Sequence, residues 1–177
     1  PAILALSRNE EVAPNNNGST DVSQNLIPIG QIRERFQTTL GGSKTDRVKV
    51  AIIDTGLNTK SDQFSETFKD PRLTNVLRSS SDPADKHGHG TQMASIIGSK
   101  KLGLASDFVE LIPLLVSDSD VVRSIDIAKA IIVGTNLGAE VMNISLGGSL
   151  FGCSAVFGHL IHKAIQKGVF FSISAGN

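Results

Sequence analysis

The stretch Val48-Lys49-Val50-Ala51-Ile52-Ile53-Asp54-Thr55-Gly56 is a nearly continuous apolar run, rich in β-branched residues, that ends on a carboxylate. This composition is typical of a strand in a parallel sheet, because helices cover such a strand on both faces. Asp54 falls at the carboxyl end of the strand, which is where open α/β sheets bind their ligands. The stretch therefore predicts a buried strand that delivers an acidic side chain to a functional edge.

Further strand-like segments follow this stretch and alternate with helical patterns. Apolar runs predict strands at 108–116, 140–145 and 169–174, and Pro113 in the first of them favours an edge position or a bend. Thr91 to Ile97 predicts a helix closed by Gly98. Two helical stripes, each ended by a glycine, precede the last two strands: Ile125, Ala128, Ile131 and Ile132 before Gly134, and Phe157, Leu160, Ile161, Ala164 and Ile165 before Gly168. This order predicts an α/β fold of three layers, with a mostly parallel sheet flanked by helices.

The composition is that of an ordinary globular domain, and it argues against several classes of function. The 177 residues carry 17 Lys and Arg against 17 Asp and Glu, which leaves no basic footprint for nucleic acid or an anionic membrane. Trp and Tyr are absent, so the usual stacking platforms for single-stranded nucleic acid are missing. No apolar run has the length of a transmembrane helix. We therefore predict no nucleic-acid partner and no membrane span.

The chain divides into two parts by composition. Residues 1–25 are predicted to be an N-terminal extension or linker, because 14–20 are turn-forming and polar. Residues 26–177 are predicted to form the folded domain. A weakly amphipathic helix is expected near its start, between 25 and 40, with Gly41-Gly42 ending it.

A second informative stretch is Lys86-His87-Gly88-His89-Gly90-Thr91-Gln92-Met93-Ala94-Ser95-Ile96-Ile97-Gly98, in which a histidine precedes Gly-Thr and a small-residue helix. The chain closes with Ser174-Ala175-Gly176-Asn177 after its last strand. A base, a carboxylate to orient it and an amide donor are three components of an acyl-transfer site. The strand order predicts that they meet at one edge of the sheet.

Together these motifs resemble those of the subtilisin-like serine proteases, or subtilases. The motifs are Ile52-Ile53-Asp54-Thr55-Gly56, His89-Gly90-Thr91, Asn143-Ile144-Ser145-Leu146-Gly147-Gly148 and Ala175-Gly176-Asn177. They occur in the order of the family, and the resemblance covers about residues 26 to 177. It implies a subtilisin-like fold and a serine endopeptidase acting on protein or peptide substrates.

The resemblance also implies a role for each residue. Asp54 would orient the imidazole of His89, His89 would take the proton of a serine, and Asn177 would donate a hydrogen bond to the oxyanion. Backbone groups of Ser145, Leu146 and Gly147 would pair with an extended substrate strand. An Asp after a strand can also be a simple cap or turn former.

The nucleophile motif of the family, Gly-Thr-Ser-x-Ala-x-Pro, is absent from this sequence. We therefore expect a fold that is incomplete at the C-terminus, with the serine supplied by a C-terminal remainder of the catalytic domain. A fragment of a longer protease and one piece of a cleaved protease both fit this expectation. The alternative is a non-catalytic, subtilase-like pseudoprotease that acts as a binding or scaffold module.

We predict no metal and no cofactor. His87, His89 and Cys153 fit no zinc spacing, and the 98–103 loop lacks the oxygen ligands of a calcium site. His87 is expected to be a solvated loop residue, and His159 and His162 are expected on an exposed helix face. Asp54-Thr55-Gly56 also spells the aspartic-protease signature, but that class needs two such loops in a β-rich fold.

Four further expectations follow, three from the resemblance and one, the loop at 57–86, from composition. Residues 2–12 and the linker after them fit the end of an inhibitory prodomain, with a frayed tail as the alternative. Asp118 and Asp120 could favour basic substrate residues, although solvated loop residues explain them equally. Residues 57–86 are polar and are expected to form a surface loop. Export is favoured by the habit of the family alone.

Overall fold

The computed structural model describes residues 29–39, 47–68, 75–77, 82–119, 121–147 and 155–175. Helices and strands alternate along this part of the chain after the first helix. The order is α1 (Ile29–Thr39), β1 (Val48–Asp54), a 3₁₀ turn (Asp62–Phe64), α2 (His89–Gly98), β2 (Val109–Leu115), α3 (Ser124–Asn136), β3 (Val141–Ile144), α4 (Ala155–Gln166) and β4 (Phe170–Ile173).

The strands of the described residues form one four-stranded sheet in the order β2-β1-β3-β4. Every neighbouring pair is parallel, with Val48 opposite Val109, Val50 opposite Val141 and Val141 opposite Phe170. The connection from β2 to β3 crosses β1 and contains α3. This arrangement confirms the predicted α/β class with a parallel sheet.

Two hydrophobic clusters cover opposite faces of β1, because successive side chains of a strand point to opposite sides. Val50 and Ile52 pack with Ala94 of α2 in one cluster. Ala51 and Ile53 belong to the other cluster, which contains the buried hydrophobic residues of α3 and α4. The sheet therefore lies between helical layers, and β1 is the strand buried on both faces that its sequence predicts.

Pro113 is accommodated at the edge of the described sheet, as its lack of an N–H group predicts. The N–H of Val116 donates to the backbone carbonyl of Asp54, so the backbone N–H and C=O groups of the even-numbered β2 residues point toward β1. The backbone groups of Leu111 and Leu115 point away from β1, and they bond to the backbone of Thr67 and Val76. The backbone nitrogen of Pro113 also points away from β1, so its missing N–H interrupts no hydrogen bond to β1.

Two predicted helix ends and one predicted helix face are wrong in detail. Gly98 is the last residue of α2 rather than the residue after it, and a Cβ there would lie 3.1 Å from Val109 Cγ2. Gly134 lies inside α3, which continues to Asn136. In both cases the glycine allows a helix to approach the sheet closely. Ile125 and Ile132 are 57% and 47% exposed, so the buried face of α3 is rotated from the predicted stripe.

The segment after β1 is more than the surface loop that its polarity predicts. Leu57 and Phe64 are buried and belong to the cluster beneath α2. Leu57 also pairs with Ala84 in an isolated parallel bridge. The segment 82–90 is thereby held against the end of β1.

The predicted N-terminal extension, residues 1–25, lies outside the described residues and stays a prediction. The predicted first helix is present as α1. None of the helices in the described ranges is long and apolar enough to cross a membrane.

Candidate active site

The order of the strands creates a crevice at the carboxyl ends of β1 and β3. The chain leaves β1 through α2 toward one side of the sheet, and it leaves β3 through α4 toward the other side. Ligands of open α/β sheets bind at such a point, where the connections diverge. Asp54 is the last residue of β1, and Ser145 follows the last residue of β3.

Asp54 and His89 meet at this crevice, as the sequence predicts. The Oδ1 atom of Asp54 lies 2.8 Å from Nδ1 of His89 and accepts a hydrogen bond of 2.7 Å from the N–H of Thr55. The Asp54 side chain is fully buried, whereas 35% of the His89 side chain is exposed. Oδ2 of Asp54 has no hydrogen-bond partner among the described residues. Because Nδ1 is engaged by the carboxylate, Nε2 is the ring nitrogen left to exchange a proton.

The surroundings of His89 favour its protonated form. The hydrogen bond to Asp54 raises the pKa of His89, against the effect of burial, and the negative charges of Asp54 and Asp85 raise it further. The ring is thus prepared to accept a proton. An imidazolium formed at this position would be stabilised by a carboxylate that is held in place by Thr55.

Glycines allow the start of α2 to approach the turn after β1 closely enough for this contact. A Cβ at Gly90 would lie 2.4 Å from the carbonyl oxygen of Gly56 and 2.9 Å from its nitrogen. Gly56 itself has φ +111°, and a Cβ there would lie 2.3 Å from the carbonyl oxygen of Pro83. The sequence predicts that a small residue after His89 lets neighbouring strands approach the ring closely, and the structure shows that Gly90 permits the contact between His89 and Asp54.

Asp85 is a residue of the site that the sequence analysis missed. Its Oδ1 accepts hydrogen bonds from Thr55 Oγ1 (3.0 Å) and from the N–H groups of His87 and Gly88. Its Oδ2 accepts from the N–H and the hydroxyl of Thr91, at 2.9 and 2.6 Å. Burial acts to raise the pKa of Asp85, but these hydrogen bonds together lower it. An acidic residue just before a helix whose N-cap position is a glycine was the available signal, since Gly88 has no side chain to cap α2.

The segment after β3 is held by hydrogen bonds to Ser174, the residue after β4. Ser174 donates from its N–H to the carbonyl of Ile144 and from its hydroxyl to the carbonyl of Leu146, both at 3.0 Å. Asn143 Nδ2 donates to Ser145 Oγ at 2.9 Å. The carbonyl oxygens of Ile144 and Leu146 therefore both accept from Ser174, the residue that follows β4.

Five further residues that the sequence analysis names lie outside the described residues. These are Gly148, Asp120, Cys153, Gly176 and Asn177. His87 is exposed, and its ring centroid lies 6.4 Å from that of His89. His159 and His162 are exposed, as predicted. In the described part of the chain no group of three or more His, Cys, Asp or Glu residues could hold a metal ion.

Comparison with known proteins identifies the family of this site. The model of the subtilase family (Peptidase S8) matches residues 45–177, which contain both Asp54 and His89. The chain belongs to the subtilase family. Its sheet is correspondingly similar to solved subtilases. The crystal structure of a cold-adapted subtilisin-like serine proteinase has a TM-score of 0.65 at 28% identity, covering 75% of this chain and 47% of that one.

Other subtilases give the same picture. Fervidolysin from Fervidobacterium pennivorans, described as a keratinolytic enzyme related to subtilisin, has a TM-score of 0.67 at 25% identity and covers 80% of this chain and 23% of its own. Alkaline serine exoprotease A of Vibrio alginolyticus is 31% identical over 73% of this chain and 24% of its own length. Subtilisin-like protease 3 of Saccharomyces cerevisiae is 30% identical over 71% of this chain and 28% of its own length. The chain thus spans about a quarter of these curated relatives.

Proposed function

We propose that this chain is the N-terminal part of the catalytic domain of a serine endopeptidase of the subtilisin type. The observation that carries the proposal is the 2.8 Å contact between Asp54 and His89 at the crevice beside β3. Membership of the subtilase family supports the same chemistry. The nucleophilic serine belongs to a C-terminal remainder of the domain, outside this chain.

The proposed roles follow from the geometry around His89. The Nε2 atom takes the proton of the serine during attack on the peptide carbonyl and returns it to the leaving amine. Asp54 holds the tautomer with the hydrogen on Nδ1 and stabilises the imidazolium. The hydrogen bond that raises the pKa of His89 supports this assignment. Asn177 donates to the developing oxyanion, as the family resemblance implies.

The proposed substrate position is the extended segment Ser145, Leu146 and Gly147. Since the carbonyl of Leu146 bonds to Ser174, the backbone groups of Ser145 and Gly147 are the ones proposed to pair with an added strand. A peptide bound in this way runs along the crevice that holds Asp54 and His89. Its backbone is recognised without regard to sequence, and side-chain pockets supply any preference. We keep Asp118, which is exposed, and Asp120 as candidates for a preference for basic residues.

A fluorophosphonate that labels activated serines tests the proposal. The chain is joined to, or mixed with, a C-terminal segment that contains the Gly-Thr-Ser motif, and labelling of that serine is measured. We expect labelling that His89→Ala abolishes and His87→Ala leaves within about twofold, because the ring of His89 bonds to Asp54 and the proposed mechanism gives His87 no part. A folded complex that stays unlabelled but binds peptides would instead favour a pseudoprotease that acts as a binding module.

A further inference from the structure

Asp85 connects the two elements that supply Asp54 and His89. One of its oxygens accepts from Thr55, which directly follows Asp54 at the end of β1. The other accepts from the N–H and the hydroxyl of Thr91 in the first turn of α2, two residues after His89. A single carboxylate thus bonds to both sides of the contact between the acid and the base.

The hydroxyl of Thr55 extends this connection. An ionised carboxylate can only accept hydrogen bonds, so the Thr55 hydroxyl must donate its hydrogen to Asp85. A lone pair of the same oxygen accepts the N–H of Gly90 at 2.9 Å. Gly90 is the residue after His89 and packs on Gly56. The chain of bonds from Asp85 through Thr55 to Gly90 therefore fixes the position at which α2 begins.

We propose that Asp85 is a positioning residue, whose carboxylate clamps the start of α2 to the turn after β1 and so holds His89 in hydrogen-bonding contact with Asp54. The clamp itself is a property of this chain, and its consequence for catalysis rests on the proposed function. Without the carboxylate, the N–H and hydroxyl of Thr91 and the N–H of Gly88 lose their acceptor. The hydroxyl of Thr55 is then free to turn away from the position that receives Gly90.

The charged and titratable groups around His89 define what a titration can report. Asp54 faces the ring from β1, and Asp85 and His87 lie in the segment before α2. Replacing Asp85 by asparagine removes one of the two negative charges that raise the pKa of His89. The pKa of the ring therefore reports the lost charge of Asp85 together with any loss of the hydrogen bond to Asp54, and the amide shifts of residues 89–91 report a displaced helix start.

The first experiment compares Asp85→Asn with Asp82→Asn. Asp82 lies in the same segment and accepts a hydrogen bond only from the N–H of Ala84 among the bonds the structure shows for it, a bond that asparagine can still accept. In the intact chain, NMR titration of the His89 ring should show a lower pKa in Asp85→Asn and an unchanged pKa in Asp82→Asn. Amide shifts of residues 89–91 should move in the first variant alone.

The second experiment measures catalysis per correctly folded molecule in the protein that carries the serine. Asp85→Asn should lower kcat by about tenfold or more with KM changed less than about twofold, because a displaced base mainly affects the transition state. Thr91→Val keeps the N–H bond to Asp85 but loses the hydroxyl bond to Asp85 and the bond that the hydroxyl accepts from the N–H of Asn58. It should give a smaller loss of kcat that Thr91→Ser restores. This pair keeps the test valid if Asp85→Asn does not fold.

Three outcomes distinguish a positioning role of Asp85 from a structural role and from failure of the proposed function. A lower melting temperature with unchanged kcat and an unchanged His89 pKa in Asp85→Asn would overturn the positioning role and leave a structural one. Equal kcat in Thr91→Val and Thr91→Ser would also count against the clamp. If the wild-type protein hydrolyses no peptide, the proposed function fails, while the amide shifts of residues 89–91 still decide whether Asp85 fixes the start of α2.

Discussion

Gly90 shows how one missing side chain permits the contact between acid and base. The backbone of Gly56 occupies the space that a Cβ of residue 90 would need, with its carbonyl oxygen 2.4 Å away. The atoms that this Cβ would meet are backbone atoms and not the end of a flexible side chain. The conflict can therefore be relieved only by moving α2 or the turn after β1. Either movement would separate His89 from Asp54. The glycine is therefore required by the backbone around it and not by its own dihedral angles.

We expect Gly90→Ala to lower the free energy of unfolding by about 2 kcal/mol or more, since overpacking against backbone commonly costs this much. Gly158→Ala is the matched control, because Gly158 is an exposed residue within α4 and its Cβ would meet nothing within 4 Å. Alanine there should stabilise the protein by about 0.5–1 kcal/mol through its helix propensity. Urea unfolding measures both changes, and equal effects of the two substitutions would contradict this explanation.

At the scale of the element, α3 shows why an apolar pattern can place a helix and still misplace its buried face. The helix is rich in isoleucine and alanine on most of its circumference, so several stripes of similar apolar character are possible. The sheet selects the one with Ile127, Ala130, Ile131 and Gly134. Asp126 is also fully buried on this helix, where it pairs with Arg123 at 2.6 Å. Packing against β1 and β2 decides the face, and that information is not local.

Ile127→Ala and Ile125→Ala test the observed face on one helix. Ile127 is fully buried and Ile125 is 57% exposed. We expect Ile127→Ala to lower the free energy of unfolding by about 2–5 kcal/mol, as large-to-small substitutions in a core do. Ile125→Ala should change it by less than about 1 kcal/mol. A larger loss for Ile125 in denaturant unfolding would restore the stripe that the sequence predicts.

The pair formed by β3 and β4 offers a test of the proposed substrate segment. Ser174→Ala removes the hydroxyl that holds the carbonyl of Leu146, so the segment 145–147 should become less ordered. We expect KM for extended peptides to rise about fivefold, the equivalent of one ordinary hydrogen bond, with kcat nearly unchanged. Ser172→Ala, within β4 two residues before Ser174, is the control. An equal effect of both substitutions would argue against a specific role of Ser174.

For the whole molecule, the features that could be predicted are those with a local signal. The apolar run ending at Asp54 predicted a strand buried on both faces, Pro113 predicted an edge position or a bend, and the motif around His89 predicted the partner of Asp54. Asp85 was missed because its role depends on five hydrogen bonds to groups from residue 55 to residue 91, and no periodicity marks such a set. Polar loops that are tied to a site by hydrogen bonds resemble solvated loops in sequence. Asn177 stays a prediction.

Asp85 and His89 make the stability of the whole chain depend on pH with opposite signs. The folded state lowers the pKa of Asp85, so its stabilising contribution is present above the unfolded value of about 3.9 and is lost as the pH falls through the lowered pKa. The folded state raises the pKa of His89, so its contribution is present below the unfolded value of about 6.5 and is lost as the pH rises through the raised pKa. Both contributions are complete only between these two values.

Unfolding of three proteins between pH 2 and pH 9 tests this linkage. The stability difference between wild type and Asp85→Asn should be largest above about pH 4 and should close at more acidic pH, because the wild-type carboxylate becomes protonated there. The difference between wild type and His89→Gln should behave in the opposite sense and close as the pH rises above about 6.5. Each comparison subtracts only the groups whose titration the substitution leaves unchanged, and Asp85→Asn also lowers the pKa of His89. The Asp85→Asn difference is therefore evaluated below about pH 5, where His89 is charged in both proteins. A difference that stays constant in that range, or a constant His89→Gln difference over the whole range, would show that the side chain does not change its proton affinity on folding.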